Sequence, residues 1–89
     1  MSFYVYIIQS LKDGSYYKGS TQNPAKRLSD HNLGMAKYTS TKGPWKLVYV
    51  EQLHSKKEML IREKKLKRGN AKYYSKLINS EKNQVIRFT

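Results

Sequence analysis

The sequence predicts an α+β domain: a small antiparallel sheet of about three strands flanked by helices, in the order β-β-α-β-α-α. Three observations carry this. Aromatic and β-branched residues fill Phe3–Ile8 and Trp45–Leu53, which favours strands. The turn signal Lys12-Asp13-Gly14 folds the first run back onto Tyr16–Ser20. Three helix starts then punctuate the chain, at Asn23-Pro24, at Ser55-Lys56-Lys57-Glu58 and at Asn70.

Each element has a local reason. On the first strand Tyr4, Tyr6 and Ile8 share one face, and Phe3, Val5 and Ile7 the other. Tyr17 and Gly19 share a face of the returning strand, and the short connection brings Tyr17 near Tyr6. In the first helix Asn23 is the N-cap and Pro24 takes the first helical position. That helix should run to about Leu33 and stop at Gly34, with Ala25, Leu28 and Leu33 turned inward. Arg27 and His31, four residues apart, stack on one of its faces. Met35–Gly43 reads as a polar loop closed by Pro44. The second helix begins with a capping box and carries Met59, Leu60, Ile61 and Leu66 to about Arg68. Gly69-Asn70 breaks it, and Asn70 caps a last helix bearing Tyr73, Tyr74, Leu77 and Ile78. The tail beyond Asn79 is expected to be frayed or to form a short strand over Val85–Phe88.

Composition narrows the class. Eighty-nine residues make a single domain with a small core, expected over about residues 3–78, with 79–89 as a tail. No apolar run approaches the length needed to span a bilayer, and no signal peptide is visible, so a cytoplasmic location is expected. Cysteine is absent, which removes disulfides, thiolate catalysis and cysteine zinc sites. The net charge is +12. Such an excess on a small domain attracts polyanions, nucleic acid first among them. The basic stretches lack the broad apolar face of a membrane-lying helix.

Few residues can carry chemistry. Glu63 falls on the inward stripe of its helix, where a carboxylate carries a desolvation cost unless a cation meets it. A metal ion would do so, and so would an arginine or lysine partner. Asp13, Asp30, Glu51, Glu58 and Glu81 have readier roles in turns, caps or exposed pairs. With so few acids a two-metal cage is not expected, whereas one carboxylate plus water and phosphate oxygens suits Mg²⁺ or Mn²⁺. Zinc would want more histidine or cysteine. Arg27 has the fork geometry to hold a phosphate, or else a surface carboxylate. Tyr6, Tyr17 and His31 are individually unspecific, since eight tyrosines are present and a buried histidine is ordinary. A tyrosine can nonetheless serve as base or acid where a cation stabilises its phenolate.

Taken together, these residues resemble the GIY-YIG nuclease family. The two triplets are Tyr4-Val5-Tyr6 and Tyr17-Lys18-Gly19. The stretch from Ser20 to Asn32 is similar to the family's arginine helix. Ser40–Tyr49 and Arg62–Lys67 are similar to its small single-domain bacterial members, which are related to the nuclease domain of excinuclease. The similarity runs from Phe3 to Ile78. It implies metal-dependent hydrolysis of DNA phosphodiesters, possible work in DNA repair or recombination, and one Mg²⁺ or Mn²⁺ ion. By position, the resemblance makes Tyr17 the base toward an attacking water and puts Tyr6 beside it. Arg27 would stabilise the phosphate, His31 would assist proton transfer or positioning, and Glu63 would be the sole protein ligand of the ion. Tyr4 stands where the family has its first glycine, and Ser20 where the excinuclease relatives carry a lysine.

Two further readings stand beside the enzyme. One is a non-catalytic nucleic-acid-binding module on the same scaffold. The other is a protein that docks onto a larger partner through Tyr73 or Tyr74. Lys18, Lys26, Lys37, Lys42, Arg62 and Lys67 are the candidate phosphate contacts. No base-reading element is visible, so binding should be sequence-tolerant or selective for DNA structure, and strongly salt-dependent.

Overall fold

The computed structural model describes residues 2–89. Its elements are β1 (Phe3–Ser10), β2 (Tyr16–Thr21), α1 (Pro24–Asn32), β3 (Trp45–Leu53), α2 (Lys56–Lys67) and α3 (Ala71–Ile78). The expected α+β order is therefore correct. The sheet is antiparallel and runs β2-β1-β3, so the first strand is central. Its position explains its composition: Tyr4 through Ile8 are buried without interruption, because both faces of β1 are covered.

The two faces build two cores. Val5 and Ile7 meet Tyr49, Met59, Leu66, Tyr74 and Leu77 beneath α2 and α3. Tyr4, Tyr6 and Ile8 meet Trp45, Leu47 and Val50, with Leu28 of α1 packed against them. β3 serves both cores because its pairing with β1 shifts register between Ile7 and Ile8. The irregularity lets Leu47 and Val50 face one core while Tyr49 faces the other.

The caps form as expected. The Asn23 and Asn70 side chains accept from the Lys26 and Tyr73 amides, at 3.1 and 2.9 Å. Ser55 Oγ accepts from the Glu58 amide at 3.2 Å, but Glu58 reaches back to the His54 amide rather than to that of Ser55. Three expectations need correction. In α1 the inward residues are Pro24, Leu28 and His31, whereas Ala25 and Leu33 are exposed. Ala25 lies one residue off the stripe that Pro24 sets, and Leu33 already caps the helix end. In α2 Leu60 and Ile61 face solvent, because the stripe between Met59 and Leu66 is taken by two charged residues, Arg62 and Glu63. The tail forms a short 3-10 helix over Val85–Phe88, neither strand nor frayed end. It docks on the Tyr4 face, where Phe88 meets Tyr4 edge-on at 5.2 Å between ring centroids.

Candidate active site

Tyr6 is the centre of the arrangement. It projects from β1 toward α1, is 2% exposed, and its hydroxyl lies 2.8 Å from His31 Nε2. On the far side of the ring, His31 Nδ1 lies 2.8 Å from Thr39 Oγ1. Thr39 donates its own proton to the Ala36 carbonyl. Thr39 therefore accepts from His31, which puts the imidazole proton on Nδ1 and leaves Nε2 to accept from Tyr6. The charges agree with this assignment. Burial, with the neighbouring Arg27 charge, pushes His31 down to about 4 despite Asp30. Burial pushes the Tyr6 phenol up to about 12, against the pull of the adjacent Arg27 guanidinium. Both rings are neutral near pH 7, and Tyr6 is held as a hydrogen-bond donor to His31.

The glycine of the second triplet has a steric reason. Tyr6 pairs with Gly19 across the strands, and its hydroxyl lies flat over that residue. A Cβ on Gly19 would stand 2.6 Å from the Tyr6 oxygen, closer than any real contact. Tyr17 pairs with Ile8, so it sits diagonally from Tyr6 on the same face. Its ring meets the His31 ring edge-on, with centroids 5.0 Å apart. Arg27, half-buried on α1, completes this face: it lies beside the Tyr6 hydroxyl and makes a long contact of 3.8 Å with Asp30.

Glu63 comes from the opposite face. It belongs to α2, whose apolar residues Met59 and Leu66 sit in the other core. It reaches the same neighbourhood by leaning over β2. Ser20 Oγ donates to one carboxylate oxygen at 2.8 Å, and Lys67 Nζ approaches the other at 3.1 Å. Lys67 joins the two halves. It lines a groove of about 340 Å³ with Tyr17, Lys18 and Tyr38. It also lines one of about 400 Å³ with Glu63, Leu60, Ile61 and Lys64.

The donor set fits one hard cation. Among the described residues no three of His, Cys, Asp or Glu cluster as a metal cage. A single carboxylate at a groove wall matches an ion that keeps most of its waters and takes phosphate oxygens. Lys67, whose side chain is 55% exposed, holds one oxygen of that carboxylate.

The basic candidates divide. Lys26, Lys37, Lys42 and Lys67 are exposed, although Lys26 pairs with Asp30 at 3.5 Å. Lys18 lies 5.0 Å over the Tyr74 ring, and burial together with Lys67 lowers its pKa. Arg62 is a correction. Its side chain is 15% exposed and its guanidinium donates to Glu51 at 3.0 Å, while Tyr49 donates to the same carboxylate oxygen at 2.7 Å. Burial opposes its charge, yet Glu51 and Tyr49 hold Arg62 above the usual arginine range. Arg62 ties α2 to β3, so it is spent inside the fold, and Glu51 is no exposed pair.

Thr39 and Ser20 are polar partners that sequence reasoning missed. Alternation does put Ser20 on the α2 side of β2, so its meeting with Glu63 had a signal in the sequence. Nothing in the spacing marks Thr39, whose role depends on how the loop folds back over His31.

Comparison with known proteins identifies the family. Residues 2–79 match the family model of the GIY-YIG catalytic domain. A UPF0213 protein of Clostridium perfringens is 44% identical over 84 residues, covering 93% of this chain and 81% of that protein. A UPF0213 protein of Staphylococcus haemolyticus is 43% identical over 76 residues, covering 84% and 92%. The solution structure of a UPF0213 protein from Bacillus halodurans superimposes with a TM-score of 0.59 at 33% identity, covering 100% of this chain and 95% of that one. The chain belongs to the GIY-YIG family.

Proposed function

We propose that this protein is a divalent-metal-dependent endonuclease that hydrolyses DNA phosphodiester bonds. One observation carries the reading: Tyr6, Tyr17, Arg27 and Glu63 converge on the β2 edge from two faces of the sheet, inside a protein of net charge +12. Glu63 would hold one Mg²⁺ or Mn²⁺ ion. When bound, the ion supplies Lewis acidity at the phosphate and lowers the pKa of an associated water.

The protein groups do the rest. Tyr6 donates a hydrogen bond to His31, which fixes its hydroxyl beside the phosphate and the attacking water. Tyr17, as its phenolate, takes the proton of that water and becomes the neutral phenol, while the P–O bond to the leaving oxygen breaks. Arg27 donates to the phosphate oxygens, where negative charge grows in the transition state. His31 is bonded to the Tyr6 hydroxyl and to Thr39 and acts as a positioning residue for Tyr6. Most of the catalysis is then orientation plus electrostatics.

The alternative is a nucleic-acid-binding module without catalysis. Its support is the Lys67–Glu63 pair, which already balances the carboxylate. Incubating the protein and its Glu63→Ala variant with plasmid, branched and single-stranded DNA separates the two. Cleavage by the wild type alone, and only with Mg²⁺ or Mn²⁺ and not with chelator, is expected. Binding without cleavage on every substrate would select the alternative. Either reading requires affinity to fall steeply with salt, and a flat response would overturn both.

A further inference from the structure

Tyr38, in the loop between α1 and β3, is 87% exposed. Its backbone is nevertheless pinned. Thr39, the next residue, is 1% exposed, bonds His31 through its hydroxyl, and accepts the Trp45 Nε1 proton on its carbonyl at 3.0 Å. The Thr39 and Lys42 amides close two further turns around it. An aromatic ring is thus held in solvent by a fixed turn, two bonds of the network away from Tyr6.

The surroundings are basic. On one side Tyr38 lines the groove it shares with Tyr17, Lys18 and Lys67. On the other it borders a groove of about 430 Å³ with Lys37. Among the described residues no carboxylate lines either groove. An apolar protein partner seated there would strip water from the Lys18 and Lys37 ammonium groups and return no anion. A nucleotide satisfies both needs at once: the base stacks on the ring and the phosphates meet the lysines.

We propose that Tyr38 is a stacking platform for one unpaired nucleobase adjoining the phosphate at Tyr17, with Lys18, Lys37 and Lys67 on the flanking phosphates. The proposal rests on the nuclease reading of the Tyr17 groove. It adds the substrate class: DNA whose base at that position has left the helical stack, as in single strands, frayed ends and branch points. Tyr38 reads no sequence, because every base has a face on which to stack.

The test needs no cleavage and is run in chelator. A short single strand carrying 5-iodouracil, and the same strand fully paired, are titrated against wild type, Tyr38→Ala and Tyr38→Phe. The single-strand complexes are then irradiated and the adducts mapped by mass spectrometry. Tyr38→Ala should weaken single-strand binding about 10-fold and duplex binding by less than about twofold, while Tyr38→Phe binds like wild type. The wild-type adduct should map to Tyr38. Equal affinity of Tyr38→Ala and wild type for the single strand would overturn the proposal. So would a Tyr38→Phe variant as weak as Tyr38→Ala, or an adduct confined to other residues. A protein that stacks DNA on Tyr38 yet never cleaves with metal would lose the nuclease reading and keep this one; a protein that cleaves but ignores Tyr38→Ala would do the reverse.

Discussion

β2 and β3 are both edge strands, but they end differently. Along β3, Asn83 and Gln84 stand in for a fourth strand. Asn83 accepts from the Val50 amide and donates to the Val48 carbonyl, and the Gln84 amide donates to Val50 O at 2.8 Å. Along β2 no strand pairs with the outer edge among the described residues. That edge carries Tyr17, Lys18 and Ser20 instead. The contrast has a functional sense. Side chains on opposite faces of a sheet are separated by the backbone, and only at an open edge do they meet around one ligand. In the proposed site Tyr6, Tyr17 and Arg27 come from one face and Glu63 from the other, an arrangement that an uncovered β2 permits. The sealed edge gives the sheet a side that cannot pair with another chain.

The comparison can be broken at either edge. Beside Glu63 itself, the largest effect is expected from Gly19→Ala. The new methyl group displaces the Tyr6 hydroxyl from above the strand, so cleavage should fall by about 100-fold while the fold survives. Kinetics beside a circular dichroism melt check this.

Acid should act on the same face. His31 is neutral in the fold with a pKa of about 4, against an ordinary histidine value of 6.5. Between those values the unfolded chain binds the extra proton and the folded chain does not. Stability from this group is thus complete above about pH 6.5 and is lost as pH falls toward 4. The full displacement corresponds to about 3 kcal/mol. Thermal midpoints from pH 7 to pH 4 should drop more steeply for the wild type than for His31→Gln, and parallel curves would contradict the buried neutral imidazole.

At the sealed edge, Asn83→Ala removes the bonds to Val48, Val50 and Ile78. It should cost about 2 kcal/mol in urea unfolding and leave the cleavage rate unchanged at a temperature where the variant is folded. The smallest effect is expected from Lys67→Ala. Its pair with Glu63 is half-exposed, so stability should move by less than about 1 kcal/mol. Mn²⁺ titration should show tighter binding, because the carboxylate loses its resident cation.

Much of the fold is legible in the sequence, for physical reasons. Asn23-Pro24, Ser55 with Glu58, and Asn70 act within one helical turn, so local sequence names the helix starts. The alternation of Tyr4, Tyr6 and Ile8 against Val5 and Ile7 survives because β1 is covered on both faces. The long-range part is not legible. Arg62 and Glu63 are adjacent on α2, both half-buried and charged. One is consumed by Glu51 on β3, while the other reaches Ser20 on β2. Only the packing angle of α2 across the sheet separates those fates. Thr39 likewise gains its role from the loop's return over His31. The Val85–Phe88 segment has strand-forming residues, but tertiary contact with Tyr4 overrides that preference.

The central claim is that the open β2 edge holds a cleavage site whose metal ligand is Glu63. It is tested most directly by single-turnover cleavage of a short branched DNA by wild type and Glu63→Gln, across a Mn²⁺ titration. Glu63→Gln keeps the shape of the side chain and an acceptor for Ser20, and removes its charge. The account predicts metal-dependent cleavage by the wild type and a rate lower by at least about 100-fold for Glu63→Gln, with the melting temperature little changed. Cleavage by Glu63→Gln at the wild-type rate, or wild-type cleavage that persists in chelator, would contradict it.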